Sequence, residues 1–412
     1  MRLSKRKHSI MSFLQRRKIK IFSNSILAVY LLLVFTDNIF AQDEPNIHIG
    51  ALEIRPFASV KETYDSNIYL EPKGEENDDF ITDVALGVRA EMPLIPEREK
   101  DFMLKGSYQA DIKEFWDHDK CDRVDHILRG LLDCKFANDF RLRVKEHFKE
   151  TADPPNSEHT ALEERWRNVV NGAFGYTREK ITLEVGYMNT RDRYKHSNNL
   201  NKYDHMITGS VFYHIFPKTS VLAEYDFGVI TYDNNKTNSD SKYHQIQLGL
   251  VGDLWPKITG TLKTGYRYAA YDESDKDDFS GFTLFANIKY DVRERTKMNL
   301  YAQRTSQESS YSTNSYFESN KIGLKLDHQL TEKLFLVLGG SYQLNRYPDD
   351  ITEDGVTAKR KDHIWGGSTG LRYEINDRMF LEIGYEYKQR DSKFAAFDYK
   401  DNKFTTKLSL IF

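Results

Sequence analysis

A chain of 412 residues whose 59 Lys/Arg stand against 62 Asp/Glu, with a mean hydropathy of -0.65, is too polar for a bundle of membrane-spanning helices. Residues 1–41 hold eight of the basic residues and one of the acidic ones, so the remainder is acidic and is no globally basic nucleic-acid binder. Two cysteines leave no disulfide scaffold and no Cys-based zinc pattern, whereas 25 Tyr and 25 Phe suit a sheet in which only alternate residues meet lipid.

Residues 1–41 read as a secretory signal. A basic segment (Arg2, Lys5, Arg6, Lys7, Arg16, Arg17, Lys18, Lys20) precedes an apolar run from Ile26 to Phe35, and Ala41 suits the position before cleavage. The alternative is a membrane anchor, but the run is shorter than the ~20 residues a spanning helix needs. Met11 is a second candidate start. Residues 42–412 then form the mature unit.

From Gly50 onward one pattern recurs: a long alternating stretch, then by turns a tight connection and a longer polar loop. Tight connections are expected at Leu94–Glu97, Ala137–Asp139, Thr177–Lys180, Phe216–Thr219, Trp255–Lys257, Asp291–Arg295, Thr331–Lys333 and Asn376–Arg378. Longer loops include Glu71–Asp78, Asp117–Asp122, Asp153–Glu158, Arg191–Asn201, Asp233–Ser241, Asp272–Asp277, Gln307–Asn314, Pro348–Arg360 and Asp391–Asp401. These bounds predict an all-β fold: a transmembrane antiparallel up-and-down β-barrel of about 18 strands, with tight turns in the periplasm and longer loops outside the cell.

Along these stretches one parity is apolar. Leu183, Val185 and Tyr187 alternate with Thr182, Glu184 and Gly186, and Phe282, Leu284, Ala286, Ile288 and Tyr290 form a similar row. The last stretch, Phe404–Phe412, closes on an aromatic and is expected to pair with the first, leaving no open edge in the bilayer. Phe136, Phe140, Tyr176, Trp255, Tyr290 and Tyr373 flank the tight turns, where an aromatic girdle meets headgroups.

The other parity carries charge of both signs. Arg89, Lys105, Asp111, Arg129, Asp133, Arg141, Arg143, Lys145, Arg167, Glu184, Lys263 and Glu382 are the expected lumen lining, with Glu91 and Lys113 on the same face. Such residues either hold water and select solutes or pair into a plug, and the sequence leaves both open. Phe212, Phe335 and Phe380 share the inward parity as a possible stacking surface for sugars or as filler. The acidic loop at 272–278 lacks the spacing of a calcium-binding hand and reads as solvated.

No nucleophile elbow, zinc-protease motif or phosphate loop is present. His126, His147, His205, His214 and His363 are spread singly over strands and read as structural; a hydrolase built on His126 or His214 is the most remote reading. Cys121 and Cys134 are expected near opposite ends of one strand, beyond disulfide reach. No enzyme activity, catalytic residue, metal or cofactor is expected.

The segment Lys61–Tyr69, with Glu62, Tyr64, Asp65, Asn67 and Ile68 in the pattern Glu-x-Tyr-x-x-Asn-Ile, is followed by Asp79-Phe80-Ile81. This resembles the opening of the putative beta-barrel porin 2 family. The resemblance implies an outer-membrane barrel associated with exopolysaccharide export, and hence lipid, a sugar polymer and periplasmic export proteins as partners, with no nucleic acid. Asp65 and Asn67 also suit a plain turn, since their side chains bond their own backbone. Two functions are therefore expected: a channel for exopolysaccharide or small solutes, or a non-conducting barrel that anchors or assembles an export complex.

Overall fold

The computed structural model describes residues 47–411, apart from 99, 235–237, 273–276, 312 and 354. Residues 1–41, expected to be a signal, the closing Phe412 and much of the acidic loop at 272–278 lie outside the described residues.

Nineteen strands are described. They are β1 (Ile47–Ile49), β2 (Leu52–Asp65), β3 (Asp79–Pro93), β4 (Phe102–Phe115), β5 (Arg123–Lys135) and β6 (Phe140–Thr151). There follow β7 (Arg165–Arg178), β8 (Ile181–Tyr194), β9 (Lys202–Phe216), β10 (Thr219–Tyr232), β11 (Ser241–Trp255), β12 (Ile258–Tyr271) and β13 (Phe279–Arg293). The last six are β14 (Thr296–Glu308), β15 (Tyr316–Gln329), β16 (Leu334–Glu353), β17 (Val356–Glu374), β18 (Met379–Ser392) and β19 (Tyr399–Ile411).

Each of β2 to β19 pairs antiparallel with the next, and β19 pairs back onto β2 from Lys403 opposite Asp65 to Ile411 opposite Phe57. Eighteen strands thus close a barrel with every ladder satisfied, the condition for crossing hydrocarbon as a sheet. A 14-residue strand at about 3.3 Å per residue and roughly 40° tilt reaches ~35 Å along the axis, enough for the apolar band. The apolar parity faces out: Val185 is 64 % and Leu248 60 % exposed at the protein surface, where lipid covers them.

Two expectations need correction, and one short strand precedes the barrel. The connection after β3 is no tight turn; it runs from residue 94 to 101 and includes a short 3-10 turn at Pro96–Arg98. The segment Pro348–Arg360 is no loop. Its backbone continues the β16–β17 hairpin, with Asp350 opposite Lys359 and Glu353 opposite Val356 beyond a register shift after Arg346. Pro348 has no N–H to give a ladder, and it falls in that unpaired shift. Ahead of the barrel, β1 turns at Gly50 (φ +62) and covers Leu52 to Ile54 of β2, just past the point where β19 ends. A short strand there blunts the edge that β19 leaves bare.

At the tight-turn end, Phe140 stacks on Tyr176 with ring centroids 4.7 Å apart, and Trp255, Tyr290 and Tyr373 are exposed. At the other end a diagonal pair recurs on the outer face. Tyr108 bonds His126 at 2.8 Å, Tyr187 bonds His205 at 2.8 Å, Tyr225 bonds His244 at 2.7 Å and Tyr342 bonds His363 at 2.7 Å. In all four, the histidine lies directly opposite the residue two places after the tyrosine. The tyrosine ring stays in the apolar band while its hydroxyl reaches the polar boundary.

Candidate functional site

The connection between β6 and β7, residues 152–164, turns into the barrel. Its neck closes where the Glu163 N–H donates to the Ala152 carbonyl at 3.1 Å. Near its own wall, Asp153 meets Arg123 at 2.6 Å, Lys113 at 3.3 Å and Lys149 at 3.5 Å. Across the interior, the Ser157 hydroxyl accepts from Gln343 at 2.8 Å and Asn345 at 2.9 Å, and its carbonyl accepts from Arg390 at 2.9 Å. The Glu158 carboxylate accepts from the Ser309 hydroxyl at 2.7 Å and the Ser310 N–H at 2.6 Å. Gln343 and Asn345 belong to β16, almost diametrically opposite β6 in the ring. The loop is therefore a crossbar, pinned at both walls.

The charges on this crossbar differ in setting. Burial opposes ionisation of Asp153, but Lys113, Arg123 and Lys149 outweigh it and hold the carboxyl well below the usual range. Burial pushes Glu158 up, and its hydrogen bonds from Ser310 and Ser309 and the charge of Arg360 offset this only in part. Arg360 itself is buried against Asp362 at 2.7 Å, with its guanidinium 3.7 Å from the centre of the Phe397 ring and 4.8 Å from that of Tyr347.

To one side of the crossbar, the interior of β9 to β15 is filled by Ile230, Tyr232, Tyr243, Tyr271, Phe279 and Tyr316. Arg267 lies 3.8 Å over the Tyr243 ring, and the Tyr271 hydroxyl donates to Glu308 at 3.2 Å. To the other side a cavity of about 720 Å³ remains between the loop and the walls. Lys61, Lys113, Arg123, Lys321, Lys388 and Lys403 line it, with Asp65, Asp83, Asp153, Glu386 and Asp401 among them.

The residues singled out from sequence fall into several groups inside the barrel. Arg89, Lys105, Arg129 and Lys145 come together around a cavity of about 690 Å³ with Glu91 and His147, and Lys105 meets Glu91 at 2.6 Å. Arg141 grips Asp133 through Nε at 2.7 Å, and Arg143 stands 3.8 Å from the same carboxylate. Asp111 accepts from Gln109 at 2.7 Å on the face that also bears Lys113, and Arg167 meets Asp192 at 3.2 Å. Glu184 and Lys263 line a third cavity, of about 450 Å³, where Lys263 pairs with Glu224 at 2.5 Å. Glu382 stands apart, opposite Arg372 and Lys407. Ion pairs and open cavities thus coexist in the interior.

The inward phenylalanines do not form one surface. Phe212 lies on β9, far round the ring, and Arg372 covers Phe335 at 4.5 Å. His126 and His214 are not brought together either: His126 is in an outward pair with Tyr108, while His214 bonds Thr182 and Ser220 near the tight-turn end. Cys121 and Cys134 are both free, with most of β5 between them.

The opening motif is structural in part. The Asn67 N–H donates to Asp65 at 3.0 Å, making the expected turn, and the Asn67 amide reaches the carbonyls of Glu71 and Lys400 at 2.8 and 3.1 Å. On the outer face, Glu62 accepts from Thr82 at 2.9 Å and Tyr64 packs on Phe80 with centroids 5.1 Å apart. Asp65 pairs with Lys403 at 2.7 Å, and Ile68 lines the largest of these cavities. Sequence reasoning missed Ser157, Glu158, Gln343 and Asn345. Their polar side chains match those of any solvated loop or lumen, and only the fold reveals that they meet.

No curated protein matches the chain. Solved structures similar to it include the outer membrane protein OpdK of Pseudomonas aeruginosa, at 10 % identity and a TM-score of 0.48 over 87 % of this chain and 99 % of that one. OccK2 (OpdF) of Pseudomonas aeruginosa is similar at 11 % identity and 0.47, over 87 % and 98 %, and its siderophore receptor PirA at 10 % and 0.46, over 87 % and 80 %. The family profile described as "Putative beta-barrel porin 2" matches residues 45–411. A closed 18-stranded antiparallel sheet with an apolar outer face and this match agree: the chain is an outer-membrane, porin-like β-barrel and belongs to the putative beta-barrel porin 2 family.

Proposed function

We propose that the barrel is a channel for small hydrophilic solutes that favours anions, with the crossbar at residues 152–164 setting the size limit. The observation that carries this reading is the basic interior face of β4 to β6. Lys105, Lys113, Arg123, Arg129, Arg141, Arg143, Lys145 and Lys149 lie along it, leading up to the point where Lys113 and Arg123 hold Asp153. A wall of one dominant sign raises the local concentration of the opposite ion and favours its entry. Passage of an exopolysaccharide is the second reading. Its support is the family, and a polymer would need the crossbar to leave its ties on β16 and β18. The non-conducting anchor is the third, and the pairing of many interior charges supports it.

Single-channel recording of the mature chain in planar bilayers under a salt gradient tests the proposal. Stable steps with an anion-selective reversal potential are expected. Replacing Arg141, Arg143 and Lys145 together by Gln should move that potential toward cations. A folded, heat-modifiable protein that never conducts would remove the channel and leave the anchor. Conductance blocked by an acidic oligosaccharide from one side only would favour the polymer.

A further inference from the structure

We infer that the lipid-facing surface of β7 to β9 binds the phosphate-bearing headgroup of an outer-leaflet lipid, with Arg191 as the principal contact. Arg191 shares its parity on β8 with Val185 and Tyr187, both exposed toward lipid. Its guanidinium lies over two rings of the same face, 4.6 Å from the centre of Tyr203 and 5.3 Å from that of Trp166. Neighbouring cations have carboxylate partners: Arg193 pairs with Asp233, Lys195 with Glu164 at 2.6 Å, and Arg167 with Asp192 on the inner face. Among the described residues Arg191 makes no such pair, and its buried Nε has no hydrogen-bond partner. Glu150 shares this outer face but opposes Trp166, which separates it from β8.

Height on the barrel selects the ligand. His205 opposes Asn189, and Arg191, two residues further along β8, opposes Tyr203. Arg191 therefore stands one step outside the Tyr187–His205 pair, one of the four pairs that mark the outer boundary of the apolar band. Lipid headgroups lie at that level. A guanidinium facing hydrocarbon without an anion is costly, whereas one held flat between rings presents its fork to two oxygens of one phosphate. Tyr187 and Asn189 both approach His205 Nδ1, at 2.8 and 3.2 Å. With the tyrosine hydroxyl donating there, the ring proton sits on Nε2, a second donor for the same headgroup. The outer leaflet is what covers this face, so the occupant is a phosphorylated lipid.

Native mass spectrometry of the folded mature protein tests this, using a diphosphorylated acylated disaccharide and its dephosphorylated form as probes. The phosphorylated lipid should stay bound where the dephosphorylated one does not. Loss of the charge-assisted contact in Arg191→Gln should weaken binding about tenfold, while His244→Ala, on β11, should leave it unchanged. Equal binding of the two lipids, or wild-type binding by folded Arg191→Gln, overturns the site. If that variant does not fold, the comparison of the two lipids on the wild-type protein decides alone. Displacement by millimolar inorganic phosphate would also overturn it, assigning the contact to free phosphate.

Discussion

Ser157 and Asn345 are 188 positions apart in the chain, yet the Asn345 amide donates to the Ser157 hydroxyl at 2.9 Å. Asn345 is fully buried, so that hydroxyl is an acceptor the amide cannot replace from water. The crossbar is held by such single contacts, whereas the barrel itself is held by whole ladders.

Replacing Ser157 with Ala should therefore loosen the crossbar and spare the barrel. The fully buried Asn345 amide loses this acceptor, at a cost of about 1–3 kcal/mol that release of the loop to water relieves, whereas the half-buried Gln343 amide keeps Ser319 and Asn345 as acceptors. Single-channel traces of the variant should show larger, noisier openings, with an unchanged unfolding midpoint. A trace identical to wild type would mean that Asp153, Glu158 and the bond from Arg390 to the Ser157 carbonyl are enough to pin the loop.

The buried pair Arg360–Asp362 makes the opposite prediction, about stability. Asp362 is fully buried and also accepts from the Ser392 hydroxyl at 2.7 Å. Asp362→Asn leaves a guanidinium buried among rings without the carboxylate it is paired to, which costs about 3–5 kcal/mol. Urea unfolding in micelles should show that loss. Replacing both residues by Met and Leu should recover much of it, because the desolvation cost of both charges disappears with them.

Conductance should depend on pH through two groups of opposite sign. Asp153 has a folded pKa below its unfolded value, so its share of crossbar stability is present above the unfolded value of about 3.9 and is lost as pH falls through the folded one. Glu158 has a folded pKa above its unfolded value, so its share is present below about 4.3 and is lost as pH rises through the folded one. Glu158→Gln keeps one oxygen acceptor for the Ser310 N–H and turns its amide N–H toward the Ser309 hydroxyl, which can accept, without the buried charge. Its open-channel noise should stay flat over the range in which wild-type noise grows with rising pH. Parallel profiles for the two proteins would remove Glu158 from the mechanism.

The two thiols report the register of β5. Cys134 is buried on the outer parity near the tight-turn end, while Cys121 is partly exposed in the outer loop, 3.3 Å from the Tyr69 hydroxyl. A charged, water-soluble maleimide applied to whole cells should label Cys121 and spare Cys134 until the barrel is unfolded. Labelling of Cys134 on intact cells would contradict the register.

Much of the barrel was legible because strand alternation is a local signal. The rows ending in Tyr187 and Tyr290 could each be read within a dozen residues, and the inward charges followed by parity. What escaped was non-local or locally ambiguous. Nothing in the segment around Ser157 distinguishes a loop bound for water from one bound for Gln343. Pro348 and its acidic neighbours have the composition of a loop, although the backbone around them pairs as a hairpin. The histidines looked scattered because their regularity lies across strands: His126, His205 and His363 each stand at the same diagonal offset from a tyrosine on the preceding strand.

The crossbar also imposes an order on assembly. Its anchor at Lys113 and Arg123 exists as soon as the first few strands are made, but its partners on β16 and β18 arrive only with the last part of the chain. Until then only Ser309 and Ser310 hold its far end through Glu158, and the loop cannot reach Gln343, Asn345 and Arg390. The narrowing forms together with the seam between β19 and β2, so a chain stalled before Gln343 would present a wide cleft that neither seals nor sieves.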